Sequence, residues 1–176
     1  SRRFKAAVAE VAPVIEDGGI DEIYIDLTEV PGAQDTLGHD PHGGVRAVAQ
    51  DIRDQGGSAI AVPGDVASEQ DVVRLFAECD RSLGPLTALA NNAGIVTRQS
   101  RVEAMDAERL QRMFAVNVVG AFLCAREAIK RMSTKHGGKG GAIVNLSSGA
   151  ARLGSPGEYV DYAASKGAID TMTIGL

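Results

Sequence analysis

The stretch GAIVNLSS, residues 141–148, is a short apolar run that begins at a glycine and ends in two hydroxyl side chains. A run of this length, bounded by turn residues, is typical of a buried β-strand. Two similar runs lie upstream, at residues 86–90 and 59–62, with helical patterns between them. Strands that alternate with helices predict a parallel sheet with helices on both faces. The predicted fold class is therefore α/β, a doubly wound parallel sheet.

Amphipathic patterns predict helices near residues 45–54, 68–83, 106–134 and 159–176. Ser68 precedes the second of these and is a typical capping residue. The long third helix is predicted to turn one apolar stripe inward, made of Leu110, Phe114, Val118, Ala121, Phe122, Ala125 and Ile129. Its polar face carries Arg109, Arg112 and Arg131.

The first part of the chain has a different organisation. Apolar spacing predicts a helix over residues 4–15, and a β-rich run predicts a strand over residues 23–28. A polar stretch with several glycines follows and predicts a loop. We therefore predict an atypical helix-strand-loop segment over residues 1–44 and an α/β domain over residues 45–176.

Composition excludes several classes of partner. The formal charge of −5 and the isoelectric point near 5.2 argue against a nucleic-acid or anionic-membrane surface, because either would be met by a basic face. We expect no membrane span, since no apolar run is long enough. Cys79 and Cys124, the only cysteines, each lie in a helical pattern and favour buried thiols in a cytoplasmic protein.

Tyr162 and Lys166 are four positions apart in the last predicted helix. Residues at this spacing project from one helix face, with Cβ atoms roughly 6 Å apart. A neighbouring ammonium favours the phenolate form of tyrosine, which makes the pair a possible proton-transfer unit near neutral pH. An ordinary tyrosine on an amphipathic helix is the alternative, so the surrounding residues decide.

Polar residues follow the predicted strands at the edge where ligands bind in doubly wound sheets. Ser148 follows the strand at 141–146 and can donate a hydrogen bond to a substrate oxygen. The sequence NNAG, residues 91–94, follows another strand and offers small residues for close approach of a ligand. Asn117 lies on the apolar stripe of the long helix, where a buried amide needs partners or acts as a core brace.

These motifs, taken in order, resemble those of the short-chain dehydrogenase/reductase family over residues 45–176. The resemblance rests on NNAG at 91–94, Asn117, Ser148 and YAASK at 162–166, and the segment 147–159 is similar to bacterial oxidoreductases of the glucose-dehydrogenase-like branch. It implies a Rossmann-like fold and hydride transfer between NAD or NADP and a carbonyl compound or secondary alcohol. It also implies a homo-oligomer, because the helices at 106–134 and 159–176 resemble the family's dimerisation pair.

The resemblance assigns a role to each matched residue. Tyr162 would be the acid/base, Ser148 would orient the carbonyl, and Lys166 would support the tyrosine and hold the nicotinamide ribose. Asn117 would hold a proton-relay water. The remaining matched positions would contact the adenosine half of the cofactor: Asp65 and Val66 at the adenine, and Asn91, Ala93 and Gly94 beside its ribose.

Two departures from the family pattern stand out. Ser148 and Tyr162 are fourteen positions apart, one more than the family's commonest spacing, so the loop between them is predicted to bulge. The family's first strand and its T-G-x-x-x-G-x-G phosphate turn have no counterpart in this sequence, although Gly38–Gly44 lies between a predicted strand and a helix. We therefore expect a sheet that is incomplete at both ends, and turnover far slower than in a complete family member.

Residues 1 to about 45 resemble a different family. The sequence GIDEIYID at 19–26 is similar to the palm motif of Y-family DNA polymerases, in which the residues matched by Asp21 and Glu22 would bind metal. Adjacent carboxylates suit Mg²⁺, but an Asp-Glu pair before a strand is usually a solvated turn. His39, Asp40 and His42 form a loop cluster without further metal-site signals. We expect no metal site.

The leading hypothesis is an NAD(P)-dependent oxidoreductase that acts on a small carbonyl or alcohol substrate. The first alternative is a truncated or fused remnant without activity. The second is a metal-dependent nucleotidyl-transfer fragment, which rests on Asp21 and Glu22 alone.

Overall fold

The computed structural model describes residues 14–17, 23–26 and 43–176. The chain divides into two units, Ser1–Pro63 and Gly64–Leu176. The predicted loop before residue 43, the residues Asp21 and Glu22, and the cluster of His39, Asp40 and His42 lie outside the described residues.

The first unit contains two short strands, β1 (Val14–Asp17) and β2 (Ile23–Asp26), which pair antiparallel with Ile15 opposite Ile25. The predicted helix over residues 4–15 is wrong at its end, because Val14 and Ile15 lie in β1; residues 1–13 are outside the described part. The apolar spacing runs across Pro13, and proline is not tolerated in a helix interior. The pairing is antiparallel because residues 18–22 are too few for the crossover that parallel strands require.

The helix predicted near residue 45 is confirmed as α1 (Gly43–Asp54). It is followed by Gly56, whose φ of +85° favours glycine. The apolar run at residues 59–62 is not a strand in the structure, contrary to the prediction. A strand is defined by a backbone ladder with a neighbour, whereas the carbonyl of Ala59 accepts a hydrogen bond of 2.8 Å from the Arg53 guanidinium.

The second unit alternates helices and strands as predicted. In chain order its elements are α2 (Glu69–Leu83), β3 (Ala88–Asn91), α3 (Ala107–Phe114), a π-helical segment (Ala115–Gly120), α4 (Ala121–Met132), β4 (Ala142–Asn145), α5 (Ala150–Leu153) and α6 (Val160–Gly175), with short 3₁₀ turns at Val102–Ala104 and Thr134–His136. The predicted cap is confirmed, since the Ser68 hydroxyl accepts from the backbone N–H of Asp71. Within the described residues, none of these helices has the length and apolarity needed to cross a bilayer.

Strands β3 and β4 pair in parallel, with Leu89 opposite Ile143 and Asn91 opposite Asn145. Their connection runs through α3, the π-helical segment and α4, which is the β-α-β crossover that the alternation predicted. Both strands therefore end at the same edge of the sheet. Polar residues that follow Asn91 and Asn145 meet at this edge.

Two apolar clusters hold the helices on this sheet. The first, which we call the α2/α4 cluster, contains the buried residues Val72, Phe76, Cys124, Ala128 and Met132. The second joins α4 to α6 and contains Ala121, Ala125, Ile169 and Met172. Ile143 of β4 packs against both clusters, so the sheet and the three helices share one core.

The long predicted helix is interrupted and its stripe is displaced. A π-helical segment replaces regular helix at Ala115–Gly120, and Leu110, Phe114 and Phe122 are exposed instead of buried. The buried face runs through Met113, Val116, Asn117, Gly120, Ala121, Cys124, Ala125, Ala128 and Met132. A π turn contains more residues than an α turn, so the residues after it are shifted relative to the 3.6-residue repeat. Small side chains on this face also allow close packing, which the spacing of apolar residues does not predict.

Candidate active site

Lys166 occupies the carboxyl edge of β4. Its side chain is buried, with 6% exposure, and its Nζ donates a 2.7 Å hydrogen bond to the carbonyl of Leu146, the residue after β4. Nζ lies 5.8 Å from the centre of the Tyr162 ring. Burial lowers the pKa of Lys166, and the nearby Asp170 carboxylate opposes that shift. The structure thus brings a partly desolvated ammonium beside the tyrosine one helical turn away.

Gly94 lies against this ammonium. A Cβ placed on Gly94 would stand 3.7 Å from Lys166 Nζ and 3.4 Å from Asn117 Oδ1. The loop after β3 therefore approaches α6 and the π-helical segment closely at this point. Three of the predicted site residues, Gly94, Asn117 and Lys166, meet here although they come from three different elements.

The Asn117 side chain is 2% exposed and all of its hydrogen-bonding groups are engaged. Oδ1 accepts from the N–H of Ile95 at 2.7 Å, and Nδ2 donates to the Ile95 carbonyl at 2.9 Å. Nδ2 also lies 3.0 Å from Ser165 Oγ and 3.1 Å from Met113 Sδ. The amide therefore connects the loop after β3 to α6, which agrees with the bracing alternative. A relay water at this residue would have to bind to atoms other than those of the side-chain amide.

Ser148 and Tyr162 are both partly buried. Ser148 Oγ accepts a 3.2 Å hydrogen bond from the N–H of Ala150, at the start of the short helix α5 in the predicted loop. The Tyr162 backbone is held on both sides, because its N–H donates to Asp161 Oδ1 at 2.9 Å and its carbonyl accepts from Ser165 Oγ at 2.7 Å. Convergence of the two side-chain hydroxyls on one substrate oxygen stays a prediction.

Asp65 and Val66 precede α2. The Asp65 carboxylate accepts from the N–H of Ala67 and from Arg112, and both interactions lower its pKa. Val66 touches Gly120 so closely that a Cβ on Gly120 would stand 2.8 Å from Val66 Cγ2. The predicted adenine-contacting residues are therefore held against α3 by the ion pair with Arg112 and against the π-helical segment by the close approach of Gly120.

The Asn91 side chain points into the protein. Its Nδ2 donates to the Ala121 carbonyl at 2.9 Å and to Asn145 Oδ1 at 3.1 Å, linking β3 to α4 and β4. A contact with a cofactor ribose would therefore involve its backbone. Ala93, the neighbouring predicted contact, is exposed.

One pair near the site was missed by sequence reasoning. Arg109, assigned to the polar face of the long helix, binds the Asp161 carboxylate through Nε at 2.8 Å and Nη2 at 3.3 Å. Burial by itself raises the pKa of Asp161, but the hydrogen bonds from Arg109 and Tyr162 bring it below its usual value. The two residues are 52 positions apart, so the only sequence signal was an acidic residue in the first turn of α6.

The described residues contain no group of three or more His, Cys, Asp or Glu side chains arranged to hold a metal ion. The chemistry available at the carboxyl edge is instead that of hydroxyl, amide and ammonium groups. These can bind an oxygen atom and move a proton, but they need a partner group for electron transfer.

Known proteins are similar to this chain. The family model for short chain dehydrogenases matches residues 32–176. The uncharacterized oxidoreductase YgfF of Escherichia coli (strain K12) is 58% identical over 125 residues, covering 71% of this chain and 51% of that protein. A short-chain type dehydrogenase/reductase of Picea abies is 40% identical over 116 residues, covering 65% of this chain and 41% of that protein.

The solved structures give the same answer for the fold. The crystal structure of a short-chain type dehydrogenase/reductase from Mycobacterium marinum superposes with a TM-score of 0.69 at 30% identity, covering 76% of this chain and 53% of that one. The Rossmann-like α/β fold class is thereby confirmed. The chain spans about half the length of the curated relatives it matches.

The family match starts at residue 32, ahead of the boundary expected near residue 45. The relatives described above are oxidoreductases, dehydrogenases or reductases, and none supports the polymerase resemblance of the first residues. Fold, motif order and the matched relatives agree with one another. The chain belongs to the short-chain dehydrogenase family.

Proposed function

We propose that the protein moves hydride between a nicotinamide cofactor, NAD or NADP, and a small carbonyl compound or secondary alcohol, with Tyr162 as the acid/base. The observation that carries the proposal is the position of Lys166. Its ammonium is buried at the carboxyl edge of β4, hydrogen-bonded to Leu146, and lies beside the Tyr162 ring. An ammonium in this position can interact with charge that develops on the Tyr162 oxygen when its proton is transferred.

Each residue then has a defined task in reduction of a carbonyl. The Tyr162 hydroxyl gives its proton to the carbonyl oxygen while hydride adds to the carbonyl carbon, which yields the alcohol. Ser148 donates a hydrogen bond to the same oxygen and orients it. Lys166 stabilises the tyrosinate that remains, and oxidation of an alcohol runs through the same groups in reverse.

The bound cofactor would supply the hydride or accept it. The residues present fit such a group at one point in particular, since Gly94 leaves open the space beside Lys166 Nζ that a Cβ would fill. We assign the ribose of the nicotinamide half to Lys166 and Tyr162. We assign the adenosine half to Asp65 and Val66 and to the backbone at Asn91, Ala93 and Gly94.

Asn117 is proposed to act through its position. Its amide fixes Ile95 and Ser165, and therefore the loop after β3 relative to Tyr162. A relay water would then be held by backbone atoms of the π-helical segment, because the side chain is already engaged.

The test is Tyr162→Phe, which removes only the hydroxyl. General acid/base groups contribute about 10²- to 10⁴-fold to turnover, so we expect a loss of kcat in that range with a carbonyl substrate and reduced cofactor. Tyr159→Phe is the matched control, since Tyr159 lies just before α6 and is also partly buried. Equal rates for the two variants would overturn the proposed function.

Further proposals concern the whole protein. A cytoplasmic location is supported by the low cysteine content. Homo-oligomers are supported by the exposed apolar side chains of Leu110, Phe114 and Phe122 in α3 and α4. A boundary between residues 44 and 45 remains our proposed division between the atypical segment and the family domain. A single monomeric species in sedimentation at micromolar concentration would contradict the proposed oligomer.

A further inference from the structure

Arg109 connects three segments that surround Tyr162. Besides its two bonds to Asp161 at the start of α6, its Nη1 donates to the Arg98 carbonyl at 2.8 Å, in the loop after β3. Its own backbone belongs to α3, where its N–H is bound by the capping Asp106. One guanidinium therefore ties α3, the loop after β3 and the start of α6 together.

Asp161 is buried in a way that makes this partner necessary. Its side chain has 0% exposure, and that of Arg109 has 17%. A buried carboxylate is costly unless it is paired and hydrogen-bonded, and the bidentate geometry of arginine meets both requirements. The first turn of α6 adds favourable N–H groups, as helix N-termini do for acidic residues.

The pair acts directly on the backbone of the proposed acid/base. Asp161 Oδ1, which Arg109 holds, accepts the N–H of Tyr162. On the other side, the Tyr162 carbonyl accepts from Ser165 Oγ, which is bonded to Asn117. A second tie between the same segments is the 2.9 Å bond from the Ser100 N–H to the Glu158 carbonyl.

We infer that Arg109 and Asp161 are positioning residues, which hold the Tyr162 end of α6 in place against α3 and the loop after β3. The inference rests on the proposed role of Tyr162. Neither side chain needs to contact the substrate for this role. Their contribution is to keep the tyrosine from shifting by the fraction of an ångström to which hydride and proton transfer are sensitive.

The structure offers a matched comparison pair. Glu127 of α4 is also a buried carboxylate, but it is bound by Arg126, Lys130 and Arg131 of its own helix. These ion pairs of Glu127 lie within α4 and do not connect it to the loop after β3 or to α6. Loss of its charge tests the general cost of disturbing a buried ion pair, without displacement of the site.

The experiment compares Asp161→Asn and Arg109→Met with Glu127→Gln and Arg131→Met, and includes Arg109→Lys, which keeps the charge but loses the bidentate fork. The first readout is amide hydrogen exchange of Tyr162 without cofactor. We expect loss of protection at Tyr162 in the first two variants and retained protection in the Glu127 and Arg131 variants. The second readout is steady-state kinetics, in which kcat should fall by about 10- to 100-fold while cofactor KM stays nearly constant.

Arg109→Lys should lie between wild type and Arg109→Met in both readouts, and it preserves the test if Arg109→Met fails to fold. Unchanged protection or unchanged kcat in Arg109→Lys and Asp161→Asn would overturn the inference, as would an equal fall of kcat in Glu127→Gln. Tyr162→Phe distinguishes a failure of the proposed function from a failure of the positioning role. If Tyr162→Phe is fully active, the proposed function fails; if it is inactive while the Arg109 and Asp161 variants are fully active, only the positioning role fails.

Discussion

The α2/α4 cluster and the carboxyl edge of the sheet are held together by different forces. The cluster consists of apolar side chains such as Phe76 and Met132, and its charged groups lie at its margin, where Arg131 covers the Phe76 ring. The carboxyl edge buries Asn117, Asp161 and Lys166, each hydrogen-bonded to a partner from another element. Apolar contact has no preferred direction, whereas a hydrogen bond has a defined length and angle.

This difference indicates separate tasks for the two regions. A non-directional cluster contributes stability and accepts substitutions that conserve volume. Directional bonds contribute less net stability, yet they hold atoms in one arrangement. We therefore expect substitutions in the cluster to change the free energy of unfolding and substitutions at the edge to change turnover.

The largest expected effect is that of Phe76→Ala. Phe76 is 3% exposed within the cluster, and truncation of a buried phenylalanine lowers the free energy of unfolding by about 3–5 kcal/mol. Urea denaturation measures this, with Val73→Ala as the control because Val73 lies on the same helix and is 44% exposed. At a temperature where the variant is folded, kcat should match wild type; a large fall of kcat would contradict the division of tasks.

A smaller change in stability with a larger change in turnover is expected for Asn117→Ala. The substitution leaves the N–H and carbonyl of Ile95 without their side-chain partner, which costs about 1–3 kcal/mol of unfolding free energy. Displacement of the loop should lower kcat by about 10²-fold. Urea melts and initial rates on the same preparations check both, and a kcat loss no greater than in Phe76→Ala would show that the polar network has no special role.

The smallest effect is expected in the acid limb of the stability curve. The pKa of Asp161 is lowered in the folded protein, so its stabilisation is present above its unfolded value and is lost as pH falls through the folded pKa. When the pH is lowered from neutral to about 3, the free energy of unfolding should therefore fall less in Asp161→Asn than in wild type. The difference should be largest below about pH 4. The pKa of Glu127 is also lowered, chiefly by Lys130, and Glu127→Gln should show a change of the same sign.

Urea midpoints at a series of pH values measure this, and kcat at neutral pH separates the two variants. Only Asp161→Asn should lose turnover. A steeper acid loss in Asp161→Asn than in wild type would show that the carboxylate is destabilising in the folded state.

Much of the second unit could be predicted from local patterns. The Ser68 cap, the strands around Leu89 and Ile143, and the four-residue spacing of Tyr162 and Lys166 each depend on residues close together in the chain. The wrong predictions concern features that depend on contacts between residues far apart in the sequence. The run at 59–62 has strand composition but forms no ladder, and the packing of α3 and α4 buries Met113 and Ala121 while it leaves Leu110 and Phe122 exposed.

The sequence by itself determined the α/β alternation and the family, and it supplied the residues that we propose to move a proton, because side-chain chemistry and short spacing are local properties. Only the tertiary structure decided which groups are engaged and which are available. In the folded chain the Asn117 amide is hydrogen-bonded to Ile95, the Asn91 side chain is buried, and Arg109 pairs with Asp161, which is 52 positions away in the sequence. Such pairings depend on how helices pack on the sheet, since burial makes an unpaired charge or amide costly and so selects partners that no local pattern specifies.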